Sequence, residues 1–414
     1  MSIAVICTGT ELLKGSAVNT NMAFLGRELC AAGLPATLEI TVGDHTSELV
    51  EAVADALKMA DTLIISGGLG PTTDDMTLDT VARFFGVALN DDEELKEKVQ
   101  TFWNFHHPGR CPKAQFRQAR IPEGGFVLPN PVGSASGLGF ETTFGGKLRR
   151  IFLLPGPPRE FEPMVKDFLL PKLLENRRGK LETCGFLCCA GESMVFPVVE
   201  KAVAGLPVEV ACAAGAGGTR IFLSSSESTT VARAVEIARN VLKCPMLPEG
   251  EYDMAEYLIK FLKNSKLTFG CAESCTGGLV ANRFVTIPGA SDIFNGGIVA
   301  YANEVKRDLL KVPSAILEEK GAVSADCASA MAEGCCAALQ CDCSVSTTGV
   351  AGPGGGTPEK PVGLVYIAAS LKGVTATREL KLRGDRRAIR ERAVESALLL
   401  LYQLLNSPEV QNKC

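Results

Sequence analysis

Residues 62–75 read TLIISGGLGPTTDD, an apolar run of the length of a buried strand that glycines bring to an end. Apolar runs at 3–6 and 38–42 predict two further strands, and amphipathic patterns predict helices at 21–32 and 46–59. Strands that alternate with helices are typical of right-handed βαβ units. The sequence therefore predicts an α/β fold with a parallel sheet at the N-terminus.

Polar loops follow these strands at one edge of the predicted sheet. They read TGTE at 8–11, GD at 43–44 and GGLGPTTDD at 67–75, and PGPP at 155–158 follows another predicted strand, 151–154. In such sheets, ligands bind outside the carboxyl ends of the strands. We therefore expect the loops to converge on one site.

The composition sets the class of protein. The chain has 414 residues, 46% of them apolar and 21% charged, which predicts a globular protein of two or three domains. Its formal net charge of −5 disfavours binding to nucleic acid or to an anionic membrane. No apolar run approaches 18 residues and the N-terminus lacks a basic signal region, so we expect a soluble, cytoplasmic protein.

Cysteine and histidine usage constrains the chemistry. The sixteen cysteines include no Cys-x-x-Cys pair, and we expect them to be mostly reduced thiols in the core. The histidines are His45, His106 and His107. A Ser-His-Asp triad is thus excluded beyond His107, unless the N-terminal region completes it.

The remainder of the chain divides at 248–250, where Pro-Glu-Gly predicts a boundary. Short β-like and helical runs before it, from about 181 to 247, indicate a small α+β module. A third, α/β unit follows and closes with an amphipathic helix predicted at 386–405.

Ser274 lies in AESCTGG, between a strand predicted at 267–272 and a helix predicted from Thr276. Serine is a good helix N-cap, which is one interpretation. In the other, Ser274 is a nucleophile and the N–H groups at the helix start bind an oxyanion.

Lys306 lies in GGIVAYANEVK, where a strand leads to Tyr301 and Asn303 is placed to cap a helix. A helical lysine is usually solvated. In the absence of histidine, however, a desolvated lysine is an available base for serine, and the Tyr301 hydroxyl can relay a proton.

Two further segments are candidates for binding an anion. Residues 347–357 read TTGVAGPGGGT, which is either a flexible loop or a set of N–H donors for phosphate. Arg386 and Arg390 share one face at the start of the last helix, where cations oppose the helix dipole and an anionic ligand would relieve the conflict.

The chain resembles the CinA family (competence/damage-inducible protein A) along nearly its whole length. The C-terminal blocks are AESCTGG, GGIVAYANEVK, TTGVAGPGGGTPEKPVG and GDRRAIR, in the order of the family's nicotinamide-nucleotide amidohydrolase domain. The resemblance implies deamidation of nicotinamide mononucleotide to nicotinate mononucleotide and ammonia, with no cofactor. It implies Ser274 as nucleophile, Lys306 as base and Tyr301 as its partner. The implied substrate-binding residues are Thr276, Gly277, Thr348, Gly349, Arg386 and Arg390.

The N-terminal unit resembles the molybdopterin-binding fold through GTELLKGSAVNTN, VGD, GGLGPTTDDMT, NPVGSASG and LPGPPREF. In CinA proteins this implies cleavage of ADP-ribose to AMP and ribose 5-phosphate with a divalent metal (Mg, Mn or Co). Asp74 and Asp75, with Glu11, are suited to a hard cation, although acids in such loops also cap helices or solvate turns. His45 stands where the family often has Asn, and Ser136 where it often has Pro. The implied binding residues are Thr10, Glu11, Asn21, Asp44, Gly67, Gly68, Gly70, Thr72 and Gly156.

We therefore expect three domains, at 1–172, 173–250 and 251–414. The middle one resembles a KH-like insert, and because the chain is acidic and lacks a clear Gly-x-x-Gly clamp, we expect a spacer that binds no RNA. The expected partners are nicotinamide mononucleotide, ADP-ribose and a second copy in a homodimer. The alternative from a different class is a non-catalytic protein that binds a pterin or nucleotide.

Overall fold

The computed structural model describes residues 2–107, 109–175 and 182–408. The chain divides into two compact units, Met1–Thr183 and Cys184–Cys414. The division into three domains stays a prediction. No helix of the described residues combines the length and the apolar character that a membrane crossing requires.

The first unit contains a six-stranded sheet in the order β2-β1-β3-β8-β7-β6. Its first four strands are parallel, and the last two pair antiparallel at the edge. The predicted parallel sheet is therefore the core of a mixed one, while β4 and β5 form a separate pair. The strands are β1 (Ile3–Thr8), β2 (Ala36–Val42), β3 (Thr62–Ser66), β4 (Leu89–Asp91), β5 (Arg120–Pro122), β6 (Phe126–Leu128), β7 (Gly137–Phe144) and β8 (Lys147–Leu154).

Helices cover both faces of this sheet. Alternate side chains of a strand point to opposite faces, so Leu63 and Ile65 pack in one apolar cluster while Ile64 packs in the other. All five residues of β3 are buried, as its apolar run predicts. The helices are α1 (Thr10–Leu13), α2 (Thr20–Ala31), α3 (Thr46–Met59), α4 (Thr77–Phe85), α5 (Glu93–His106), α6 (Pro158–Met164) and α7 (Leu170–Glu175), with a 3-10 turn at Lys113–Gln118 and a wider turn at Val165–Leu169.

The second unit contains two sheets. A three-stranded sheet has the order β10-β11-β9, and a five-stranded sheet has the order β13-β12-β14-β15-β16. In the larger sheet β12 pairs parallel with β13 and β14, whereas β15 and β16 continue it antiparallel. The strands are β9 (Glu182–Cys188), β10 (Glu209–Gly215), β11 (Gly218–Ser225), β12 (Phe269–Glu273), β13 (Phe294–Val299), β14 (Cys343–Gly349), β15 (Leu364–Leu371) and β16 (Val374–Lys381).

The larger sheet of the second unit is also covered on both faces. Phe269 and Cys271 pack with the last helix in the main apolar cluster, and Ala272 faces a second cluster that includes Met331. Its parallel strands end at one edge, which is where the candidate catalytic residues lie. The helices are α8 (Glu192–Val203), α9 (Ser228–Val241), α10 (Met254–Ser265), α11 (Leu279–Val285), α12 (Asn303–Asp308), α13 (Ser314–Glu319), α14 (Ala325–Leu339) and α15 (Arg386–Leu405), with a 3-10 turn at Ala290–Asp292.

Candidate functional site

A cavity of about 250 Å³ lies at the carboxyl ends of β12, β13 and β14. Its position is the one where open α/β sheets bind ligands. It brings together six of the predicted site residues, the last of them at the start of α15: Ser274, Tyr301, Lys306, Thr348, Gly349 and Arg386. The lining residues that sequence reasoning had not assigned to the site are Cys275, Asn303, Ala322, Val323 and Ala351.

Ser274 occupies a turn, not the start of a helix. It follows β12 directly, and its N–H donates to the Thr347 carbonyl at 2.9 Å. Helix α11 begins at Leu279, and Gly278, with φ of 94°, occupies the N-cap position. The prediction of a helix from Thr276 is therefore wrong, and so is the interpretation of Ser274 as its N-cap. The two glycines of the turn adopt the left-handed backbone conformation that delays the helix.

Glu273 binds the N–H groups at the start of α11. Its side chain is buried, and Oε2 accepts hydrogen bonds from Thr276 Oγ1 at 2.7 Å and from the N–H groups of Gly278 and Val280 at 3.0 Å each. Its Oε1 accepts from the Ala281 N–H at 2.9 Å. These N–H groups are occupied and cannot hold an oxyanion. An oxyanion site at the N–H groups near Thr276, where the sequence placed the helix start, stays a prediction. Sequence reasoning passed over Glu273, although an acid within an apolar strand was a signal.

Lys306 is buried, with 1% of its surface exposed. Its Nζ donates to the carbonyls of Ala300 at 2.8 Å and Tyr301 at 3.1 Å. Among the described residues no carboxylate lies within ion-pair distance of this amine. Burial lowers the pKa of Lys306 below its usual value, against the opposing effect of the neighbouring Cys327 and Cys275 thiols. The solvated interpretation of Lys306 is therefore wrong.

The other residues of this segment differ from the prediction in two respects. Ala302, not Asn303, is the N-cap of α12, because the helix begins one residue earlier than expected and Asn303 is its first residue. Tyr301 is exposed, and its carbonyl, not its hydroxyl, contacts the Lys306 amine. The hydroxyl lies 3.5 Å from Nη2 of Arg386. The structure thus shows no direct proton relay from the Tyr301 hydroxyl to Lys306 in the described part of the chain.

The predicted substrate-binding residues fall into two groups. Arg386 and Gly349 line the cavity, and Arg386 Nη1 donates to the Gly352 carbonyl at 2.7 Å. Thr348 also lines it, although its buried hydroxyl donates to the Ala322 carbonyl at 2.7 Å. The other group does not line the cavity but supports the Ser274 turn, since Arg390 Nη2 donates to the Thr276 carbonyl at 2.5 Å. This second group consists of Thr276, Gly277 and Arg390.

A second cavity, of about 320 Å³, lies in the first unit at the carboxyl ends of β1, β2, β3 and β8. The loops that the sequence analysis expected to converge all contribute to it. Three further polar lining residues, Thr8, Ser134 and Glu160, lie in the quoted segments TGTE, NPVGSASG and LPGPPREF but were not named as binding residues. Sequence reasoning missed Gln118, which lies outside these segments. The predicted residues that line it are Glu11, Asp44, Gly67, Gly68, Gly70, Asp74, Asp75 and Gly156.

Hydrogen bonds fix the loops around this cavity. The Thr10 N–H donates to Asp44 Oδ2 at 2.8 Å, and the Asp44 N–H donates to Thr10 Oγ1 at 3.1 Å. Thr72 does not line the cavity but donates through its N–H and its hydroxyl to Asp75 Oδ2. Gly67 has φ of 107°, and a Cβ there would lie 2.5 Å from the Thr8 carbonyl oxygen, so the turn after β3 requires glycine.

Asn21 lines an adjoining cavity of about 330 Å³ together with Glu11 and Gly156. Its Nδ2 donates to the Gly156 carbonyl at 2.7 Å and to Ser66 Oγ at 3.0 Å, which ties α2 to the loop after β8 and to the end of β3. The described residues contain no cluster of three His, Cys, Asp or Glu side chains placed to bind a metal. The metal at Asp74 and Asp75 therefore stays a prediction.

The fold and the two cavities define a two-unit α/β protein with a molybdopterin-binding type of N-terminal domain. Residues 4–175 match the family model "Probable molybdopterin binding domain", and residues 251–405 match "CinA C-terminal domain". A CinA-like protein of Dictyoglomus thermophilum is 38% identical over 98% of this chain and 100% of its own length. A putative competence-damage inducible protein of Moorella thermoacetica is 39% identical over 98% of this chain and 99% of its own length.

The chain belongs to the CinA family. The family resemblance and the α/β fold class predicted from the sequence are thereby confirmed. Among solved structures, the competence/damage inducible protein CihA of Agrobacterium tumefaciens is 39% identical, covers 36% of this chain and 93% of its own, and gives a TM-score of 0.36.

Proposed function

We propose that the C-terminal cavity deamidates nicotinamide mononucleotide to nicotinate mononucleotide and ammonia. The observation that supports this best is the hydrogen bonding of the buried Lys306 amine. Besides its bond to carbon, the amine nitrogen has three positions for a hydrogen or a lone pair. Two of them carry hydrogens that donate to the carbonyls of Ala300 and Tyr301, and the third position is not used by these bonds. In the neutral amine that remaining position is a lone pair. Lys306 lines the same cavity as Ser274.

In this mechanism the Ser274 hydroxyl attacks the carboxamide carbon while Lys306 takes its proton. The protonated amine then gives the proton to the departing ammonia, and water hydrolyses the acyl-enzyme. Because Glu273 occupies the N–H groups of α11, the oxyanion needs other donors. The N–H groups of Cys275 and Thr276, in the turn after Ser274, are the nearest in sequence.

Charge and size favour a mononucleotide as substrate. The exposed Arg386 guanidinium lies at the cavity wall, where it is suited to a phosphate. Ligand pockets for whole drug-sized molecules are about 300–1,000 Å³. A cavity of about 250 Å³ therefore fits an aromatic carboxamide ring, with the phosphate outside at Arg386.

The cavity of the first unit supports a second activity, metal-dependent cleavage of ADP-ribose. Its loops are rich in glycine, which lets a ligand approach the main chain closely. Its wall carries the side chains of four acidic residues, Glu11, Asp44, Asp74 and Asp75. Oxygen ligands of this kind suit Mg²⁺ or Mn²⁺, which usually binds through one or two carboxylates together with substrate phosphates. Asp74 and Asp75 would hold such an ion, which would polarise a phosphoryl oxygen.

One experiment on the full chain tests both activities. Wild type, Ser274→Ala and Asp75→Asn are each offered nicotinamide mononucleotide and ADP-ribose, with and without a chelator. We expect Ser274→Ala to lose chelator-insensitive ammonia release but keep AMP formation, and Asp75→Asn to do the reverse. Full deamidase turnover in Ser274→Ala would contradict the first proposal. Inactivity of the wild type towards both substrates would favour the non-catalytic binding protein.

A further inference from the structure

The thiols of Cys188 and Cys244 are in direct contact in the second unit. Cys188 is the last residue of β9, and Cys244 lies three residues beyond the end of α9. Their Sγ atoms are 2.7 Å apart, whereas a disulfide bond measures about 2.05 Å. The two residues are thus free cysteines in the structure, held within reach of a bond.

The backbone enforces this contact. The segment after α9 runs antiparallel to the end of β9, where Cys188 forms a bridge with Met246. The Cys189 N–H donates to the Pro245 carbonyl at 2.8 Å, and the Leu247 N–H donates to the Leu187 carbonyl at 2.9 Å. These main-chain hydrogen bonds lie on either side of Cys188 and hold the segment that directly follows Cys244, so the proximity of the thiols does not depend on side-chain rotation alone.

The two thiols differ in their access to solvent. Cys188 is fully buried, whereas Cys244 is half-buried and can meet a reagent. Burial and the neighbouring Cys244 thiol raise the pKa of Cys188 well above its usual range. A thiolate is the attacking species in disulfide exchange. We therefore expect Cys244 to be the first of the two thiols to attack a disulfide reagent. The later attack by Cys188, whose thiolate is scarce at neutral pH, should be slow.

We propose that Cys188 and Cys244 form a modification site at which a small-molecule disulfide generates an intramolecular disulfide bond. Cys244 attacks one sulfur of the reagent, forms a mixed disulfide and releases the first small thiol. Cys188 then attacks the Cys244 sulfur and releases the second. The two protein thiols are oxidised, the reagent is reduced to two thiols, and each thiol proton passes to a departing thiolate.

The bond would join positions 56 residues apart and enclose α8, β10, β11 and α9. A cross-link over a loop of this length restricts the unfolded chain. We therefore expect the oxidised protein to show a higher unfolding temperature for the second unit than the reduced protein.

The test uses the reduced full-length protein and oxidised glutathione under native conditions. The expected product has lost the mass of two hydrogen atoms, and digestion without reductant yields one peptide that links Cys188 to Cys244. Cys188→Ala and Cys244→Ser should each abolish the link. Cys212→Ser, which changes another half-buried cysteine of the same region, and Cys189→Ser should each retain it.

Two results would overturn the proposal. One is a glutathione adduct on Cys244 that persists in the wild type as the pH is raised. A higher pH makes more Cys188 thiolate, so a persistent adduct would show that Cys188 does not attack the mixed disulfide. The other is a link that survives Cys188→Ala but not Cys189→Ser, which would assign the bond to Cys189. Peptide mapping of the wild type distinguishes intramolecular product from adduct even where a variant fails to fold.

Discussion

Replacing Glu273 by glutamine tests whether its carboxylate holds the Ser274 turn. One oxygen becomes an NH₂ group, which cannot accept a hydrogen bond. If this group replaces Oε2, three donors lose their acceptor. The less costly arrangement replaces Oε1, which accepts from the Ala281 N–H and from the Cys271 thiol, a weak donor that can accept from the NH₂ group instead. One buried N–H without a partner costs about 1–3 kcal/mol, and the three remaining bonds lose their charge assistance. We expect a total loss of about 3 kcal/mol in the free energy of unfolding.

Calorimetry of the full-length protein measures this loss. In a unit of this size, 1 kcal/mol shifts Tm by about 2–4 °C, so the second unit of Glu273→Gln should unfold about 6–12 °C lower. Glu256→Gln is the matched control, because Glu256 is an exposed acid on α10 of the same unit and its loss should cost less than about 0.5 kcal/mol. If the two variants unfold at the same temperature, the carboxylate does not hold the turn.

Four further predictions concern activity. Since burial lowers the pKa of Lys306, its neutral form gains population as pH rises, and deamidation should increase over about pH 6–10 until that pKa is passed; a flat profile would remove the base assignment. In Lys306→Arg the guanidinium stays protonated and cannot act as a base, so the rate of deamidation should fall about 10²–10⁴-fold in a steady-state ammonia assay. Arg386→Ala should raise KM for nicotinamide mononucleotide about 10–100-fold through a lost charged hydrogen bond, whereas Arg387→Ala, which removes an exposed helix ion pair with Glu391, should leave KM unchanged. For Asp75→Asn, ADP-ribose cleavage at saturating Mg²⁺ or Mn²⁺ should fall at least about tenfold while deamidation is retained, and an equal fall in both would indicate a general folding defect.

The strands that carry the loops of the two cavities, among them β1, β2, β3, β8 and β12, followed from local patterns, and so did the location of both cavities. The helix predicted at 46–59 is α3 (Thr46–Met59), because its apolar positions repeat with the helical period and one face packs on the sheet. The loops met at one edge because parallel strands share a direction. These features depend on short segments of sequence, which is why a single chain sufficed to predict them.

What could not be predicted depends on distant neighbours. The start of α11 at Leu279 is the exception, a local feature that was overlooked, because Glu273 binds N–H groups only five to eight residues further along the chain. The burial of Lys306 involves neighbours from other parts of the chain, Cys275 and Cys327, and is invisible in a helix of six residues. The support of the Ser274 turn by Arg390 joins positions 114 residues apart. Such contacts belong to the tertiary structure, and local propensity does not encode them.

The burial of Lys306 also bears on covalent inhibition. Exposed lysines remain protonated at neutral pH and react slowly with acylating reagents, because their usual pKa is about 10.4. Lys306 loses its proton more readily, and it lies in a cavity whose wall carries a guanidinium that suits an anionic ligand. A nucleotide-like ester directed there would meet two nucleophiles, the Ser274 hydroxyl and a neutral amine. Acylation of the amine would give a stable amide, so such a compound would block the cavity permanently even where an ester on Ser274 is hydrolysed.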